Sequence, residues 1–68
     1  MKISARNVLK GKIVDVTNGA TTAHVKIDVG GIIVTSSVTN AAVDELNLAP
    51  GKDAYAVIKA SDVMVGID

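Results

Sequence analysis

Sixty-eight residues with no cysteine and one histidine leave no material for a disulfide framework or a Cys/His zinc centre. Seven basic and seven acidic residues cancel, so the positive field that general nucleic-acid binding needs is missing. No apolar run approaches the ~18 residues that span a bilayer, and no leader-like charged-then-apolar stretch is present.

The length supports one domain, residues 1–68, with a small core, since a chain this short buries only about 60% of its unfolded surface. Yet 49% of the residues are hydrophobic. They are almost wholly Val, Ile, Ala and a few Leu, with Tyr55 the sole aromatic. That is more apolar surface than such a core can use, so part of it is expected to be covered by further copies of the chain.

The first strand is read from the opening MKISARN, where strand alternation sets Ser4 and Arg6 on one face. Asn18-Gly19 predicts a hairpin into the second strand. There Ala23, Val25, Ile27 and Val29 line one face and His24, Lys26 and Asp28 the other. Gly30-Gly31 predicts a second hairpin, after which Ile32, Val34, Ser36 and Val38 oppose Ile33, Thr35 and Ser37. The stretch TNAAVDELNL leaves period two. Ala42, Val43, Leu46 and Leu48 fit a short helix of two turns, capped by Thr39 or Asn40, with Asp44 and Glu45 in its early part. Pro50-Gly51 predicts a turn. Ala54, Ala56, Ile58 and Ala60 then alternate with Tyr55, Val57 and Lys59, and a last short strand covers Val63 to Ile67. The predicted fold is all-β: a five-stranded OB-type Greek-key barrel with one short helix between strands 3 and 4. A five-stranded SH3-like barrel is the competing arrangement.

Catalysis finds little support. His24 is the only side chain poised as a base near neutral pH, and it alternates with apolar neighbours on an outward face. Gly30-Gly31 lacks the lysine of a phosphate-cradling loop. Anion binding is better supplied. Ser4 and Arg6 share a face, Lys59 ends a strand, and Thr39 begins a helix, where unpaired N–H groups favour an anion. Composition alone does not bring them together.

The opening MKISARNVLKGKIV, the middle VTNAAVDELNLAPGK and the ending AYAVIKASDVMVGID resemble, in one register over essentially the whole chain, the molbindin (Mop) family. These are small molybdate-binding proteins built from one molybdopterin-binding-type, TOBE-like OB domain. The resemblance implies a non-catalytic cytoplasmic protein that binds molybdate or tungstate for molybdenum storage and homeostasis, with no organic cofactor. It implies a homo-oligomer, a hexamer built as a trimer of dimers, that holds oxyanions at subunit interfaces. Carried over residue by residue, Ser4, Ala5 and Arg6 supply a hydroxyl, backbone N–H groups and a guanidinium. Lys59 and Ala60, with Ser61 close by, match the late segment. Thr39 and Ala42 match the loop into the helix of the partner subunit. Some relatives carry a hydroxyl at the position of Ala42, and a backbone N–H would replace it here. For a second class of oxyanion site, Asn7, Lys10, His24 and Lys26 are candidates by polarity alone.

The chemistry suits the ligand. Molybdate is a tetrahedral dianion with four acceptor oxygens and no hydrogen to donate, so a selective site presents donors only. Three or four charge-assisted bonds, less desolvation and ordering, correspond to roughly micromolar binding. Cavity size would discriminate against the smaller sulfate. A donor-only site cannot accept the proton of hydrogen phosphate. Tungstate matches molybdate in charge and size. Two further readings stand beside this one: a non-catalytic interaction module that delivers molybdate or regulates a partner protein, and a single-strand nucleic-acid binder. The latter needs stacking aromatics and a basic groove, which one tyrosine and zero net charge do not provide.

Overall fold

The computed structural model describes all residues, Met1–Asp68. Four strands, β1 (Asn7–Asn18), β2 (Thr22–Asp28), β3 (Ile33–Thr39) and β4 (Asp53–Ile58), form one antiparallel sheet in the order β3-β2-β1-β4. One short helix, α1 (Asn40–Glu45), follows β3, and a 3-10 turn (Ala60–Asp62) follows β4.

β1 is long because it serves two partners. Its first half, Asn7–Lys12, pairs with β4, and its second half pairs with β2. The register shifts between Ile13 and Asp15, so the inward position passes from Ile13 to Val16 while Val14 stays exposed. Such a bulge bends and twists the strand, and here it lets one strand turn from one half of the curled sheet into the other. Gly11 sits at the closest crossing. A Cβ there would lie 2.3 Å from the Asp28 carbonyl oxygen and 2.8 Å from a Val29 methyl. Gly11→Ala is therefore expected to cost about 1–3 kcal/mol as an overpacking change, read as a lower denaturation midpoint. An unchanged midpoint would show that β1 and β2 separate there without penalty.

The turns follow their residues. Gly30 and Gly31 have φ of 75° and 93°, the left-handed pair that a two-residue hairpin requires. Val29 N–H donates to the Ile32 carbonyl at 2.8 Å, and Asp28 Oδ1 accepts from Gly31 N–H. Gly51, with φ of 91°, follows Pro50 in a turn closed by Lys52 N–H donating to the Ala49 carbonyl. The Thr39 side chain caps α1 by accepting from Ala42 N–H. Asn47, at φ 52°, stops the helix. Leu48 N–H reaches the Val43 carbonyl and Asn47 N–H the Asp44 carbonyl, the paired bonds of a left-handed helix terminus. The predicted early placement of Asp44 and Glu45 does not hold. The helix begins at Asn40, so both lie in its last residues and gain nothing from its N-terminal dipole.

The inward face of β2 forms the core as its alternation predicts. Ala23, Val25 and Ile27 are buried with Ile13, Val43 and Ala56, and these six are the only buried residues. Leu48 packs against them, whereas Leu46 is 67% exposed and contributes no core.

Two further expectations are corrected. The first strand begins at Asn7, so Ser4 and Arg6 lie in the irregular lead-in and strand alternation does not orient them. The predicted fifth strand is absent. After β4 the chain folds into the 3-10 turn, with Asp62 N–H on the Lys59 carbonyl and Val63 N–H on the Ala60 carbonyl, and residues 63–67 pair with nothing in the chain. The single chain is thus a four-stranded curled half-barrel rather than a closed five-stranded one. Its edge strands β3 and β4 approach across a cleft of about 270 Å³ lined by Val34, Thr35 and Ser36 on one side and Ala56, Val57 and Ile58 on the other.

Candidate functional site

The β1–β4 ladder ends at Asn7 opposite Ile58, where Asn7 Nδ2 also donates to the Ile58 carbonyl at 3.2 Å. One register step further, Arg6 and Lys59 leave the sheet from adjacent positions. Both are exposed and neither is ion-paired. The one ion pair in the chain is Lys12 Nζ with Asp53 Oδ1 at 3.4 Å, on the outer face. Ser4 is exposed and Ala5 half-buried, and no backbone hydrogen bond uses the N–H of Ser4, Ala5 or Arg6. Past Lys59, the N–H groups of Ala60 and Ser61 are also without partners, because the 3-10 turn employs only those of Asp62 and Val63. The two termini of the sheet thus offer one guanidinium, one ammonium, two hydroxyls and several free N–H donors. Asp62 shares the 3-10 turn with Ser61, so a carboxylate stands in sequence next to these donors. It is exposed and pairs with neither cation.

Thr39 and Ala42 form a second group. Thr39 pairs with Thr22 at the far end of the β2–β3 ladder, beyond the level of Asn18 on β1. In the register, the two groups leave the sheet from opposite ends of β1, and no hydrogen bond joins them. The Ala42 N–H is already donated to Thr39 Oγ1 at 3.1 Å, which leaves the hydroxyl hydrogen of Thr39 free to donate elsewhere. The clefts of the single chain lie elsewhere: beside the end of α1, along β1 near Gly30-Gly31, and at the β3–β4 gap. None is lined by Ser4–Arg6, Thr39 or Lys59–Ser61, so one chain alone encloses no site from these residues.

The candidates for a second site are not gathered. Lys10, His24 and Lys26 lie on the outer face, with Lys10 opposite Tyr55 on β4 and His24 opposite Thr17 and Ser37. Asn7 belongs to the inward set of β1, and its amide is committed to Ile58. No group of three His, Cys, Asp or Glu side chains could hold a metal ion. No helix is long and apolar enough to cross a membrane. Sequence reasoning offers Asn40 only as an alternative helix cap and misses its long-range bonds. Its Nδ2 donates to the Gly19 carbonyl and its N–H to the Thr21 carbonyl, partners some twenty residues away that no local pattern signals.

The comparisons with known proteins agree with one another. The TOBE domain family model matches residues 3–65. The probable molybdenum-pterin-binding protein of Haemophilus influenzae is 59% identical over 69 residues, covering all of both chains. MopII from Clostridium pasteurianum superposes with a TM-score of 0.91 at 42% identity, over 97% of this chain and 100% of that one. The cytoplasmic molybdate-binding protein ModG, solved with molybdate bound, superposes with a TM-score of 0.95 at 46% identity, over 100% of this chain and 49% of ModG. The H. influenzae protein and ModG are described by what they bind, not by a reaction. The chain belongs to the TOBE-domain family and, within it, to the non-catalytic molybdenum-pterin-binding (Mop, or molbindin) proteins.

Proposed function

We propose that this chain is a cytoplasmic molybdate- and tungstate-binding protein serving molybdenum storage and homeostasis, with the oxyanion held between subunits of a homo-oligomer. The observation that carries this reading is the departure of Arg6 and Lys59 from adjacent register positions without a carboxylate partner, amid unused N–H groups. Two cations neutralise a dianion. Ser4 Oγ, Ser61 Oγ and the N–H groups of Ala5, Arg6, Ala60 and Ser61 give it direction. The hydroxyl of Thr39, at the junction of β3 and α1, completes the donor set from a second copy. Ala42 acts through its N–H, which holds that hydroxyl in place.

The assembly reading rests on the tail. Met64, Val65 and Ile67 are 93%, 90% and 94% exposed. A segment of Val, Met, Val, Gly and Ile has the composition of a strand, and β3 and β4 each leave an open sheet edge on which a strand can pair. A second copy supplies that strand in the proposed hexamer, a trimer of dimers, and the barrel becomes five-stranded and OB-like on assembly. The ligand is read as the free oxyanion rather than a pterin. The one aromatic, Tyr55, lies opposite Lys10, three ladder pairs from the Asn7–Ile58 end, and offers the cations no stacking surface.

Titration calorimetry of the purified protein with molybdate, tungstate, sulfate and phosphate tests the reading. Molybdate and tungstate are expected to bind alike at roughly micromolar affinity, and sulfate and phosphate at least about tenfold more weakly. Equal affinity for all four would show a general anion patch, and no heat with molybdate would dispose of the function.

A further inference from the structure

We infer that Asn40 is a positioning residue for the Thr39 hydroxyl, an inference that rests on the oxyanion reading above. Its Nδ2 donates to the Gly19 carbonyl at 3.0 Å and its backbone N–H to the Thr21 carbonyl at 2.9 Å. Gly19, Ala20 and Thr21 are the whole connection between β1 and β2, so one residue grips both ends of that loop. Thr39 precedes it in the chain and faces Thr22, the first residue after the loop, across the β2–β3 ladder. The Thr39 oxygen is further held by Ala42 N–H. Ladder, cap and the two bonds of Asn40 therefore fix the place from which the hydroxyl hydrogen is offered.

The need for such a clamp follows from the length of α1. Six residues are too few to hold a helical turn by themselves, so the start of α1 stays where the β1–β2 loop anchors it. The clamp has a cost at its other end. Asn40 Oδ1 is buried and no group in the chain donates to it, an unfavourable state for an amide oxygen. A smaller residue would avoid that cost and lose the reach of Nδ2 to Gly19. Asn40 thus acts on the ligand through Thr39 and does not itself touch it.

A double-mutant cycle separates this role from a merely structural one. Molybdate affinity is measured by calorimetry on the assembled wild type, Thr39→Ala, Asn40→Ala and the double variant. Asn40→Ala is expected to weaken binding about fivefold or more. The double variant should bind no more weakly than Thr39→Ala alone, because the clamp has nothing left to position. Should Asn40→Ala fail to assemble, Asn40→Leu keeps the side-chain size without adding charge, removes the Nδ2 donor to the Gly19 carbonyl and is expected to give the same non-additive loss. An unchanged affinity with a lower melting temperature, or a loss that adds in full to that of Thr39→Ala, would overturn the inference and leave the oxyanion reading standing. Failure of the wild type to bind molybdate would instead overturn that reading.

Discussion

Replacing Arg6 and Lys59 together by alanine is expected to weaken molybdate binding by about a hundredfold or more while leaving the melting temperature of the ligand-free protein unchanged. Each side chain is exposed and unpaired in the chain, so its removal breaks no contact that the fold uses, and such surface changes stay within about 0.5 kcal/mol. In the proposed site each makes a charge-assisted bond to a dianion, about 1.5–3 kcal/mol net apiece. Two such bonds amount to about 3–6 kcal/mol, at about 1.4 kcal/mol per decade of affinity. Either single substitution should cost tenfold or more. Calorimetry and a thermal melt on the same samples check both halves. Retained affinity would place the anion elsewhere, and a large fall in melting temperature would mean that the cations support the fold.

The second large effect concerns the tail. Val65→Asp with Ile67→Asp removes side chains that bury almost nothing in the single chain, being 90% and 94% exposed. If the chain acted alone, the pair would be neutral. We expect instead that the oligomer dissociates, because each Val or Ile covered by a neighbour contributes about 1.5–3 kcal/mol. A domain with six buried residues has little stability to spare, so the separated chains should melt many degrees lower and bind molybdate poorly. Native mass spectrometry and a melt decide it. A doubly substituted protein with unchanged mass, melting temperature and affinity would show that the tail covers no partner.

The features legible from sequence are those whose cause is local. Gly30-Gly31 announces its hairpin because only left-handed backbone closes a two-residue loop, and Pro50-Gly51 follows the same logic. The alternation of Ala23, Val25 and Ile27 against His24 and Lys26 reads directly as core and surface. The misreadings share a different cause. Ser4 and Arg6 look like strand residues because they abut one, yet β4 ends at Ile58 and offers them no partner. Residues 63–67 have strand composition, but strand formation needs a paired edge, and in the single chain they pair with neither open edge of the sheet. The helix starts at Asn40, where the caps predict, but ends at Glu45, so Asp44 and Glu45 fall in its last residues rather than in the early part of a two-turn helix. Of the site, Arg6 and Lys59 are legible as donors, and their adjacency emerges only from the Asn7–Ile58 register. The part of Asn40 is invisible, since its partners are in a loop brought near by the fold.

A crystal structure grown with excess molybdate, with the metal located by its anomalous scattering, tests directly whether the oxyanion is held between subunits. Binding between subunits requires a peak ringed by Ser4, Arg6 and Lys59 of one subunit and Thr39 of another, with no carboxylate in contact. A peak bound wholly within one chain, or none beside Arg6 and Lys59, would contradict it.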